Sequence, residues 1–164
     1  MAASVDKVQK KLDKEIRSIF KGLLSKKTFQ LDELTFSAFL ANKLFVIYLI
    51  REGVPYSLFD IIQDYAPLSE IEWSDILDIS TKSLQRYKQS DKQFGPLQSE
   101  KIIEMAEVTS LGLDVFGNME KFKLWLDTPN FALGKLKPVE LLKDSYGKEM
   151  VVGELTRINY GILA

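Results

Sequence analysis

The 164-residue chain is 46% hydrophobic and 27% charged with a net charge of −1. It is long enough to bury a sizeable core and too evenly balanced for a disordered segment or a strongly basic nucleic-acid binder. The absence of cysteine and histidine excludes disulfides, thiolate or imidazole zinc sites, cysteine nucleophiles and triads that relay protons through imidazole, and no cofactor is expected.

No apolar stretch has the form of a signal peptide or the length of a membrane span, so a soluble, cytoplasmic protein with no membrane partner is expected. The first segment is strongly basic. Between Val5 and Lys27 stand Lys7, Lys10, Lys11, Lys14, Arg17, Lys21, Lys26 and Lys27 against Asp6, Asp13 and Glu15. Val5, Val8, Leu12, Ile16, Ile19, Phe20, Leu23 and Leu24 recur at helical spacing, so residues 1–30 read as a basic amphipathic helix. Such a helix serves docking or dimerisation with a solvated basic face, or else contacts DNA phosphates or another anionic surface.

From Phe36 to Ile50 the chain is apolar almost all round. Ala38, Ala41 and Lys43 favour a buried helix, with a short strand at 44–50 as the alternative. Gly53 and Pro55 end the element, and Ser57 is placed to cap a helix running to Tyr65.

The stretch 69–89 has the plan of a helix-turn-helix. Ser69 and Glu72 form a capping box, Trp73 and Leu77 face inward, and Ser74 is the small residue at the crossing. Asp78 tolerates the left-handed turn, Ile79 fills the corner, Ser80 caps the second helix, and Leu84 and Tyr87 bury it. Thr81, Lys82, Gln85 and Arg86 remain on the outer face, flanked by Ser80 and Lys88. These are side-chain types that bond phosphates and base edges. No Lys or Arg occurs between residues 52 and 81, and residues 82–92 then carry Lys82, Arg86, Lys88 and Lys92 against Asp91 alone. An ordinary helical hairpin fits the same pattern, and the acidic first helix (Glu70, Glu72, Asp75) counts against DNA.

Gly95-Pro96 opens a long helix to Phe116, stopped by Gly117-Asn118. Phe122, Trp125 and Leu126 mark a short helix, followed by a turn at Asp127 to Asn130 and a loop at Gly134. A short helix at Pro138 to Lys143 and a final one at Ser145 to Tyr160 complete the chain. Val151, Leu155 and Ile158 line the inner face of the last helix. The fold class is therefore mostly α, with a helix-turn-helix-containing helical domain over 31–120 and a small helical domain over 121–164.

"WLDTPNFALGKLKPVELL" (125–142) and "LTRINYG" (155–161) are the most specific stretches. With Gly147 and Val151 they match the W-L…N-x-A-L-G…P-x-E-L-L…G…V…L-x-R-I-x-Y-G pattern of the toxin-binding domain in antitoxins of the Xre/ParS/MbcA group. "LDISTKSLQRY" is similar to that family's helix-turn-helix. The resemblance spans about residues 50–164, leaving residues 1–43 outside it, and departs at Lys135, where a second glycine is common, and at Asp78, where the turn residue is glycine. It implies an antitoxin that holds a cognate RES-domain, NAD-degrading toxin by covering its active site, and that binds operator DNA to repress its own operon. A homodimer is expected, because paired recognition helices meet successive major grooves.

The toxin-binding set this implies is Trp125, Asn130, Gly134, Arg157, Tyr160, Gly161 and the apolar tail Ile162-Leu163-Ala164. Read on their own chemistry, Trp125, Leu133, Leu141 and Leu155 suit a core, while Gly134, Gly147 and Gly161 suit turns. Arg157, Tyr160 and the tail then stand as the principal contacts. Two other functions fit the residues alone: a DNA-binding regulator without a toxin, and an enzyme using Glu70 or Glu72 with Asp75 as an acid/base pair.

Overall fold

The alternation of basic and apolar positions near the N-terminus resolves into a 22-residue helix, α1 (Ala2–Leu23). Its inner stripe of Leu12, Ile16 and Phe20 is fully buried, with the Phe20 ring 5.7 Å from Phe39 and 4.9 Å from Phe45. The computed structural model describes residues 2–24 and 31–161. Lys26 and Lys27 of the basic run, and the tail Ile162-Leu163-Ala164, lie outside the described residues.

The apolar run after Phe36 is two helices, α2 (Phe36–Ala41) and α3 (Lys43–Glu52), where the sequence reads as one helix or a strand at 44–50. Asn42 makes the break. Its backbone N–H closes α2 on the Ala38 and Phe39 carbonyls, while its side-chain oxygen accepts from Phe45 N at 3.2 Å to start α3. A polar residue that can cap both ways overrides the continuity of the apolar run. The run is also less buried than its composition implies: Val46 and Leu49 are buried, but Leu44 is 77% exposed.

The next helix, α4 (Tyr56–Tyr65), starts two residues earlier than expected, with Pro55 at its N-cap. Ser57 does not cap it. Being inside the first turn, its hydroxyl instead donates to Glu15 of α1 at 2.6 Å. Gly53 is required here because it sits at φ 99°, and a Cβ would lie 2.6 Å from the Phe94 carbonyl oxygen. That close approach lets Phe94 N–H bond the Val54 carbonyl at 2.9 Å.

There follow α5 (Glu70–Leu77), α6 (Thr81–Ser90), the long α7 (Pro96–Phe116), α8 (Met119–Leu126), a 3-10 turn (Phe131–Leu133), the short α9 (Pro138–Leu141) and α10 (Ser145–Asn159). Among the described residues extended pairing is confined to isolated bridges, Pro55 with Gln93 and Asn130 with Leu136, and no helix is long and apolar enough to cross a membrane. The described residues cluster into two compact units, drawn from Met1–Ala66 with Gln85–Glu104 and from Pro67–Leu84 with Met105–Ala164. In the second unit, Gly112 of α7 admits the Phe122 ring of α8, which would stand 2.3 Å from a Cβ. Gly147 serves close approach and not a turn: a Cβ there would lie 2.0 Å from the Leu141 carbonyl oxygen, so glycine is what lets α10 seat against α9.

Candidate functional site

The helix-turn-helix stretch is built as its residues require. The Ser69 hydroxyl accepts from Glu72 N at 3.1 Å, and the Glu72 carboxylate accepts from Ser69 N at 2.8 Å. Asp78 adopts the left-handed conformation at φ 53°, ψ 44°. Ser74 does more than leave room at the crossing, since its hydroxyl donates to the Ile79 carbonyl at 2.6 Å and ties the turn to α5. Trp73, Ile76, Leu77 and Leu84 are buried. Tyr87 stacks on Phe94 with ring centroids 4.5 Å apart and planes 1° from parallel.

Thr81, Lys82, Gln85, Arg86 and Lys88 are all exposed on α6. Ser80 is exposed too, but its oxygen accepts from Ser83 N at 3.1 Å and its hydroxyl lies 3.0 Å from Ser83 Oγ, so it is engaged as the helix cap. The acidic charge of α5 is largely matched within its own unit. Lys123 of α8 approaches Glu72 at 3.5 Å and Asp127 at 3.2 Å, and Lys143 pairs with Asp75 at 3.3 Å. Glu72 and Asp75 thus each face a lysine at the surface, an arrangement that holds charge in place and gives neither carboxylate a cleft. Among the described residues no group of three or more Asp and Glu is placed to hold a metal ion.

The C-terminal residues singled out from the sequence divide by role. Trp125 is half-buried against Phe116 and Phe122, with centroids at 5.7 and 6.4 Å. Asn130 is the clamp of its loop. Its side chain accepts from Ala132 N at 2.8 Å, its N–H donates to the Leu136 carbonyl at 2.9 Å, and its carbonyl accepts from Lys135 N at 2.8 Å. Gly134 and Lys135 both take positive φ, 71° and 65°, so two successive residues of this loop are left-handed. Arg157 is half-buried and pairs with Glu154 at 3.2 Å. Tyr160 is 75% exposed, and Gly161 follows it at φ 68°.

The residues missed in the sequence are the exposed apolar ones: Leu124, Phe131 (84% exposed), Leu136, Tyr146 (83% exposed) and Met150. On α10, Tyr146, Met150, Gly153 and Arg157 stand at i, i+4, i+7 and i+11, one outward stripe opposite the buried Val151 and Leu155. That spacing is legible in the sequence, but the apolar pattern there points to the inner face of Val151, Leu155 and Ile158 and gives Tyr146 and Met150 no role. Gly153 is exposed, and an added Cβ there would meet nothing within 4 Å. Among the described residues neither packing nor backbone geometry calls for glycine at that position.

Comparison with known proteins follows the same division. Residues 45–107 match the model of the antitoxin Xre-like helix-turn-helix domain, and residues 111–161 match that of the antitoxin Xre/MbcA/ParS C-terminal toxin-binding domain. A curated protein, antitoxin Xre of Yersinia enterocolitica, is 28% identical over 116 residues, covering 70% of this chain and 78% of its own length. Among solved structures, a chain of the crystal structure of the M. tuberculosis MbcT–MbcA toxin–antitoxin complex has the same fold, with a TM-score of 0.53 at 23% identity over 65% of this chain and 94% of that one.

Proposed function

The chain belongs to the Xre/MbcA/ParS antitoxin family, and from that premise we propose that it neutralises a cognate RES-domain, NAD-degrading toxin by covering its active site and represses its own operon through α5 and α6. The protein is non-catalytic in this reading. The observation that carries it is the outward stripe of α10, where Tyr146 and Met150 are exposed and Gly153 offers bare backbone beside Arg157. A large exposed ring, an adaptable thioether and an arginine are the side chains that anchor protein interfaces, and a glycine between them lets a partner approach the helix closely. Phe131 and Tyr160 extend the exposed apolar set of the same unit.

In this reading Trp125, Asn130 and Gly134 contribute to the toxin-facing set through the ring stack on Phe116 and Phe122 and the loop that Asn130 clamps. Arg157, Tyr160, Gly161 and the tail Ile162-Leu163-Ala164 complete the toxin-facing set. On α6, Lys82, Arg86 and Lys88 are the phosphate-binding types, and Thr81 and Gln85 the types that read base edges. A homodimer belongs to the same reading, and sedimentation of the free protein checks it. The decisive experiment is co-expression with the toxin gene. The full chain restores growth, and Tyr146→Glu with Met150→Glu abolishes rescue while leaving the circular-dichroism spectrum and melting unchanged. Full rescue by that folded double variant removes α10 as the contact.

A further inference from the structure

Both family models begin after α1, and α1 carries six Lys and Arg, more than any other described helix, in a chain whose net charge is −1. We propose that the outward face of α1 is a second, sequence-independent DNA contact that binds duplex phosphates in addition to the contacts made by the reading helix α6. The proposal rests on the operator-binding reading given above and deepens it.

At 100° per residue, Lys7, Lys10, Lys11, Lys14, Arg17 and Lys21 all fall within about one third of the helix circumference. From Lys7 to Lys21 the stripe runs about 21 Å at 1.5 Å per residue, the length of about six base pairs at 3.4 Å per step. It faces the side opposite the buried Leu12, Ile16 and Phe20. The acids of the helix are drawn away from it: Asp13 accepts from Phe36 N at 2.7 Å, and Glu15 accepts from the Ser57 hydroxyl at 2.6 Å. Asp6 stands at the border of the stripe. Arg17 Nε donates to the Leu34 carbonyl at 2.8 Å, and Lys21 pairs with Asp32 at 2.6 Å. Lys7, Lys10, Lys11 and Lys14 have no such partner among the described residues. Lys14, Arg17, Ser18 and Lys21 also line a shallow groove.

A bilayer is disfavoured because an interfacial helix needs a free apolar face, and that of α1 is already packed on its own unit. Duplex DNA is favoured because the same chain carries a helix-turn-helix domain, and a line of lysines without aromatic platforms suits a phosphate backbone more than stacked single strands.

The test titrates the full-length protein against two fluorescent duplexes, one from upstream of its own gene and one unrelated, over a range of KCl. Replacing Lys7, Lys10, Lys11 and Lys14 together by Gln is expected to lower affinity for both duplexes by the same factor, and to flatten the slope of log affinity against log salt by about 3.6. Lys82→Ala with Arg86→Ala is instead expected to erode the preference for the cognate duplex. An unchanged salt slope in the quadruple variant, with cognate binding intact, overturns this proposal and leaves the operator reading standing. Failure of the wild-type protein to bind either duplex overturns both. Duplex binding that is unaffected while binding to single-stranded RNA or to phosphatidylserine vesicles is lost assigns the face to another anion and also overturns it.

Discussion

Gly153→Ala separates folding from capture in one substitution. Glycine inside a helix costs about 0.8–1.0 kcal/mol relative to alanine, because the backbone loses more freedom on folding. Gly153 lies inside α10, on its exposed side, and a Cβ would meet nothing within 4 Å, so no clash offsets the gain. The free protein should therefore gain about 1 kcal/mol, or roughly 2–4 °C in melting temperature for a chain of this size. Gly147→Ala is the opposing control, because its Cβ would fall 2.0 Å from the Leu141 carbonyl oxygen. Backbone must move there, and overpacking of this kind costs about 1–3 kcal/mol. If the toxin packs against bare backbone at Gly153, the added methyl weakens capture by roughly tenfold, the equivalent of about 1.4 kcal/mol. Urea unfolding of the free chain reads the first effect, and competition for the toxin reads the second. A variant that is stabilised yet captures toxin as well as wild type would refute the close-approach argument. A variant that is not stabilised would refute the helix argument beneath it.

Two further outcomes follow from local geometry. Lys135 holds a φ of 65°, a conformation that costs a non-glycine residue about 1–2 kcal/mol, partly offset by the greater freedom that glycine restores to the unfolded chain. Lys135→Gly should thus raise stability modestly, by about 0.5–1 kcal/mol after that offset, which urea melts can detect. Asp32 has its carboxyl held below the ordinary value of 3.8 by its hydrogen bond to Lys21 and by that lysine's charge. A lowered folded pKa stabilises above the ordinary carboxylate range, and the contribution is lost as pH falls through the lowered value. Acid titration of Asp32→Asn against wild type should show a slightly smaller loss below pH 3.8, and an identical profile would remove the Lys21 pair from the account.

The legible parts of the fold were those decided within four residues. The capping box at Ser69 and Glu72, the left-handed Asp78 and the Ser80 cap are local contests between side chain and backbone, and all three appear where the residues place them. Ser57 shows where locality fails, since a serine suited to capping found a carboxylate 42 residues away. Asn42 is the local exception: its bonds reach only three and four residues, but the apolar run around it hid the cap. Gly147 reads as a turn residue in the sequence, because its reason lies in the Leu141 backbone of another helix. The outward stripe of α10 was missed for a different cause. Val151 and Leu155 already account for the amphipathic pattern, which leaves Tyr146 and Met150 without a role, whereas exposed apolar side chains are what a binding face consists of.

The family models divide the chain between residues 107 and 111, whereas the compact units do not. The first helix of the helix-turn-helix belongs with the toxin-binding segment: Pro67–Leu84 shares a unit with Met105–Ala164, and Glu72–Lys123 and Asp75–Lys143 join α5 to it. Deleting residues 121–164 to isolate a DNA-binding half would therefore strip both lysines from α5. It would also remove Phe122, the ring that fills the space above Gly112. If the chain binds operator as proposed, such a truncation should bind it weakly because α5 has lost its packing, even if the toxin-facing surface has no part in reading DNA. Protease resistance at residues 67–84 distinguishes the two causes. If the truncated chain keeps that segment protected and still loses the operator, the C-terminal segment contributes to DNA binding directly; if protection and binding are lost together, the dependence is one of folding.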